Sequence, residues 1–99
     1  MMSKEASPEN RDRFINLGIA VSTVRRMRGM SQEQLAEKAG ISRSCLSVLE
    51  APNIARAVSL EILFNIADAL GVNAADLLYL AESPDKILNT KKDIDISNL

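Results

Sequence analysis

The chain has 99 residues, 46% hydrophobic and 25% charged, with a formal net charge of −1, which is the profile of one small globular domain with no room for a sizeable second one. With a single cysteine, Cys45, and no histidine, an internal disulfide is excluded, and neither a structural zinc site nor a histidine-based catalytic centre is expected. No uninterrupted apolar run nears 18 residues, and the opening stretch MMSKEASPENRDRF lacks the apolar core of a signal peptide, so the expected setting is the reducing cytoplasm with no membrane span.

Helix signals recur along the chain and no convincing strand does, so the expected class is all-α. Ser7-Pro8-Glu9 reads as a helix start, with Ser7 as N-cap and Pro8 at the first helical position. Phe14, Leu17, Val21 and Val24 then recur at three- and four-residue spacings, which puts them on one buried face. Arg28-Gly29 should end this helix, because glycine accepts the left-handed conformation of a C-terminus.

Ser31-Gln32-Glu33-Gln34 is a capping box: the serine accepts from the Gln34 amide while the Gln34 side chain reaches back. The second helix should bury Leu35, Ala36 and Ala39, with Gly40 as the turn and Ile41 filling the angle. Ser42 caps a third helix running to about Glu50, with Cys45, Leu46 and Leu49 inward and Ser42, Arg43, Ser44, Ser47 and Val48 outward. Two helices joined only around Ala39-Gly40-Ile41 must cross steeply, leaving the outer face of the third free to meet a partner. Pro52 closes that helix by forcing the preceding residue out of helical geometry.

Residues 51–58 read as a loop. Ser59 caps a fourth helix whose expected apolar face is Leu60, Leu63, Phe64, Ala67 and Leu70, ended by Gly71. Asn73 caps a short fifth helix carrying Leu77, Leu78 and Leu80, which Ser83-Pro84 should break. Beyond it Ile94 and Ile96 alternate with Asp93 and Asp95, a pattern open to an edge strand but closer to a loose tail. The expected organisation is therefore a lead-in over 1–13, a helical domain over 14–81 and a tail over 82–99.

Charge is unevenly spread. Between Arg13 and Arg56 seven basic residues stand against three acidic ones, and from Ala57 onward three lysines face seven acids. Such segregation either points one face at a polyanion or reflects solvated charge alone.

The segments VSTVRRMRGMSQEQLAEKAGISRSCLSVLE and SLEILFNIADALGVNAADLL, in that order, resemble the phage repressor and Cro type of helix-turn-helix protein, the xenobiotic-response-element family. The likeness runs from Leu17 to Leu78 and requires Ala36, Gly40, the apolar set and Glu50 to agree in register. It implies a compact five-helix DNA-binding domain with the helix-turn-helix at helices two and three. It also implies two-fold symmetric dimers on double-stranded operator DNA, with half-sites roughly 34 Å apart. One departure stands out: Glu50 is followed by APNIARAV, without the glycine common in relatives, which leaves open how many backbone contacts this loop supplies.

Carried over position by position, the resemblance makes Arg25 and Glu50 a structural salt bridge and sets Gln32 and Arg56 against phosphates. Ser42, Arg43, Ser44, Ser47 and Val48 then face the bases. Arg43 is the strongest reader, since a guanidinium can pair with guanine O6 and N7, or else clamp a phosphate. Ser44 and Ser47 donate or accept and discriminate poorly. Val48 packs on a thymine methyl or is simply an exposed apolar residue. Arg26 and Arg28 supply background attraction. Cys45, on the inward face, reads as a small hydrophobe against the sharper alternative of a redox switch.

The leading reading is a sequence-specific DNA-binding transcriptional regulator, a repressor on a palindromic operator acting as a homodimer. Candidate dimer residues are Val58, Leu80, Ile87 and Leu88, with Ile15 and Ile19 able to receive the tail, unless all merely cover a small core. The alternative is an antitoxin or protein-interaction module that binds a protein partner through the C-terminal tail. No nucleophile–base pair, metal cluster or phosphate loop is visible, so neither an enzyme nor a cofactor is expected.

Overall fold

The structure is a computed structural model and describes residues 5–82. The tail readings, including Ile87, Leu88, the Ile94/Ile96 alternation and the Ser83-Pro84 break, lie outside the described residues. Within them a short 3₁₀ turn, Pro8–Asn10, leads into α1 (Arg11–Met27), followed by α2 (Gln32–Ala39), α3 (Arg43–Glu50), α4 (Leu60–Leu70) and α5 (Ala74–Ala81). No strand occurs among the described residues; one isolated antiparallel bridge joins Glu5 to Arg56.

The start of α1 differs from the expectation. Ser7 does not cap with its side chain; its Oγ accepts from the Asn10 side chain at 3.4 Å, and Asn10 N–H closes a 3₁₀ turn on Ser7 O at 3.0 Å. Asn10 then takes the N-cap position of α1. The reason is local: one tight turn over Pro8 uses the orphan amide that a serine cap would otherwise have satisfied.

The capping box of α2 closes on both sides, with Gln34 N–H to Ser31 Oγ at 3.0 Å and Ser31 N–H to Gln34 Oε1 at 2.9 Å. At its other end Gly40 takes φ +71°, and Ile41 N–H reaches Ala36 O at 3.0 Å. This left-handed stop swings the chain directly into α3 without exposing Ile41, which is 8% exposed. Ser42 and Ser59 repeat the serine cap on α3 and α4, accepting from Cys45 N–H at 3.0 Å and Ile62 N–H at 3.2 Å.

One core collects all five helices. Leu35, Leu46, Ile66 and Leu77, from α2, α3, α4 and α5, are fully buried, and Val21 of α1 is 1% exposed. Leu17 is buried beside it, while Phe14 and Val24 pack half-buried on the margin. α1 lies across α5 and α3, and α2 packs on α4 and α3.

On α4 the buried face is Ile62, Leu63, Ile66, Ala67 and Leu70, whereas Leu60 is 65% and Phe64 52% exposed. Glu61, Asn65 and Asp68 recur at four- and three-residue spacings and share the outer side, so the buried face lies opposite them; Leu60 and Phe64 flank that polar side and stay outside when α4 packs on α2. Cys45 is likewise only half-buried, at the edge of the core rather than inside it. Among the described residues no single helix is long and apolar enough to cross a membrane.

Candidate nucleic-acid interface

The frame of the site is a buried ion pair. Arg25 near the end of α1 and Glu50 at the end of α3 are 8% and 7% exposed, and they meet through two parallel bonds. Arg25 Nε donates to Glu50 Oε2 at 2.8 Å and Nη2 to Oε1 at 2.9 Å. Nη1 donates to the Met30 carbonyl, also at 2.8 Å, in the turn between α1 and α2. Fork geometry suits arginine to this task, because the planar guanidinium offers donors in directions that match a carboxylate. Hydrogen bonding to Glu50 pushes the Arg25 pKa further above its ordinary value, against the opposing effect of burial.

Gln32, the first residue of α2, joins the same network. Its Nε2 donates to Glu50 Oε1 at 3.0 Å, and the side chain is half-buried. One amide hydrogen and the amide oxygen remain for an outside partner. α1, the α1–α2 turn, α2 and α3 are thus tied together through four side-chain hydrogen bonds centred on Arg25 and Glu50.

Close approach of α1 to α3 depends on Gly18. A Cβ at that position would stand 2.1 Å from the Leu49 carbonyl oxygen. Only a residue without a side chain lets the backbone of α3 lie this near to α1, and this sets how far α3 stands from the body of the domain.

The outer face of α3 carries Ser42, Arg43, Ser44 and Ser47 exposed, with Val48 half-buried beside them. Positions 43, 44, 47 and 48 share one side because neighbours four apart stack along a helix. Ser42 uses its oxygen lone pair on the Cys45 amide and keeps its hydroxyl hydrogen to donate. Arg43 makes no ion pair with any other described residue, so its guanidinium is uncommitted within them. Arg56 is exposed in the loop after α3, with its backbone in the antiparallel bridge to Glu5. Behind the face, burial pushes the Cys45 thiol up from its ordinary value, which favours its protonated form.

A helix-turn-helix family model matches residues 21–77. The chain belongs to this family, in its xenobiotic-response-element branch. Members of that branch are DNA-binding transcription regulators. The fold of this helix-turn-helix protein is similar to that of the restriction-modification controller protein C.AhdI from Aeromonas hydrophila. That pair shares 31% identity over 65% of this chain and 94% of the other, with a TM-score of 0.60. It is similar also to the clp gene regulator ClgR from Corynebacterium glutamicum, at 32% identity over 87% of this chain and 88% of that one, TM-score 0.67. No curated protein matches the chain.

Three features of this helix-turn-helix domain went unread in the sequence. The Gln32–Glu50 bond joins residues 18 apart, and no local pattern announces it. Gly18 did leave a signal, since a lone glycine within a helical pattern often marks close backbone approach. The pairing of Glu5 and Ala6 with residues 55–56 has no sequence signature at all.

Proposed function

We propose that this protein is a sequence-specific transcriptional repressor that binds a palindromic operator as a homodimer in the cytoplasm, with α3 in the major groove. The observation that carries this reading is the outer face of α3: four exposed polar side chains including an uncommitted Arg43. They sit on a helix braced from behind by a bidentate buried ion pair. Arg43 reads guanine, Ser44 and Ser47 adjust to either strand, and Val48 covers a thymine methyl. Gln32, pinned by Glu50, offers its remaining amide hydrogen to a phosphate beside the N-terminus of α2, where the helix dipole favours an anion. The descriptions of the two similar structures, a controller protein and a gene regulator, support regulation over any enzymatic role.

Support for the dimer comes from apolar side chains that the core leaves uncovered: Leu60 and Phe64 on α4, and Leu78, Tyr79 and Leu80 on α5. Of the dimer candidates read from sequence, Leu80 is exposed and Val58 is half-buried against the core; of the two residues read as able to receive the tail, Ile19 is exposed and Ile15 half-buried. Two copies are needed because one such domain covers only a few base pairs.

Selection from a random duplex pool tests the reading, with wild type and Arg43→Ala at two salt concentrations. Enrichment of a palindromic site, with one base preference relaxed in the variant, is the expected result. No enrichment at low salt would overturn it.

A further inference from the structure

The loop between α3 and α4 is held by the chain that precedes α1. After Glu50, Ala51 N–H closes on Val48 O at 3.2 Å and Ile54 N–H on Ala51 O at 3.2 Å, forming a turn through Pro52 and Asn53. The next backbone partner of the loop is not its own: Ala6 N–H donates to Ala55 O at 2.8 Å. One residue on, Arg56 forms the antiparallel bridge with Glu5. Ala55 is 4% exposed and turned inward, and Arg56 is exposed, the alternation that extended backbone imposes on neighbouring side chains. The loop contains no glycine, yet it is not part of any helix or sheet. Its course at Arg56 is therefore defined by a buried methyl on one side and by borrowed pairing on the other.

We infer that Glu5 and Ala6 form a positioning strap for Arg56, setting the point and direction from which its guanidinium leaves the domain toward a DNA phosphate. This rests on the proposed phosphate contact of Arg56. The strap is itself anchored, since Ser7 passes directly into the Pro8–Asn10 turn and from there into α1. α1 is in turn locked to the end of α3 through Arg25 and Glu50. The strap and the ion pair thus hold opposite ends of one segment: Glu50 where the loop leaves α3, and Arg56 where it turns toward α4. A loop clamped at both ends presents its cation without ordering it anew on binding, which removes an entropic cost from association.

Ala6→Pro tests the strap, because proline removes the donated N–H while keeping extended backbone before it. Ala6→Gly, which retains the N–H, is its control. Affinity for the selected operator duplex is measured against salt for both, for Arg56→Ala, and for Ala6→Pro combined with Arg56→Ala, with circular dichroism confirming the fold of each. Arg56→Ala should flatten the salt dependence by about one unit of slope, as loss of one phosphate contact does. Ala6→Pro should flatten it to a similar degree, Ala6→Gly much less, and the double variant no further than Arg56→Ala alone. An unchanged slope in Arg56→Ala overturns the phosphate contact itself. A lowered slope in Arg56→Ala with a wild-type slope in Ala6→Pro overturns the strap and leaves the contact standing. Additive losses in the double variant also overturn it, because the segment would then act on something other than Arg56.

Discussion

Gln32 Nε2 donates to Glu50 Oε1 at 3.0 Å, onto the same oxygen that accepts from Arg25 Nη2 at 2.9 Å. A residue at the start of α2 and one at the end of α3 are thereby held on a single carboxylate, and the angle between the two helices is set by side chains as well as by the turn. Removing Glu50 leaves the Arg25 guanidinium buried without its anion, which typically costs about 3–5 kcal/mol. Glu50→Ala should lose stability on that scale in urea denaturation. Gln32→Ala should lose about 1 kcal/mol, the value of one ordinary hydrogen bond. In the Glu50→Ala background the Gln32 substitution should cost almost nothing; an equal cost in both backgrounds would show that the bond carries no energy.

Gly18 and Gly29 should respond to alanine for different reasons. At Gly18 the added methyl meets the Leu49 carbonyl at 2.1 Å, so α1 and α3 must separate, at a cost typical of overpacking, about 1–3 kcal/mol or more. At Gly29 nothing lies within 4 Å, and φ is +72°, so only backbone strain of about 1 kcal/mol applies. Melting curves give the order. DNA binding separates the two further, because only Gly18→Ala displaces α3.

Phe64 is 52% exposed on α4 and has no role in the monomer's core. Phe64→Asp should therefore change monomer stability by no more than about 0.5 kcal/mol. If this face joins two copies, light scattering should show the mass falling from dimer to monomer, and operator affinity should fall with it. A dimer of unchanged mass would move the interface elsewhere.

Cys45 offers a pH test. Burial raises its thiol pKa in the folded chain, so between the ordinary thiol value, about 8.5, and the folded one, the unfolded chain has lost a proton that the folded chain keeps. Stability should accordingly decline as pH rises past the ordinary thiol value. Iodoacetamide should label Cys45 more slowly in the native protein than in urea at pH 8. Equal rates would mean that the thiol is open in the fold.

Much of this protein is determined by local chemistry and so is legible in the sequence. The serines at positions 31, 42 and 59 precede helices and accept from the amide three residues on, a relation that needs only the neighbouring turn. Gly40 ends α2 because its left-handed φ is cheap for that residue alone. The amphipathic period of α3 separates Leu46 and Leu49 from Arg43, Ser44 and Ser47, and with it the outward face is defined before any packing is known. Tertiary structure alone decided the rest. On α4 the polar side of Glu61, Asn65 and Asp68 is legible, but how far burial reaches around the apolar remainder is not: contact with α2 buried Ile62 and Ile66 while leaving Leu60 and Phe64 outside. The Gln32–Glu50 bond, the approach of Gly18 to Leu49 and the hold of Ala6 on Ala55 each join segments far apart in the chain. Hydrogen bonds and steric contacts act within a few ångströms in space, and sequence pattern reports distance only along the chain.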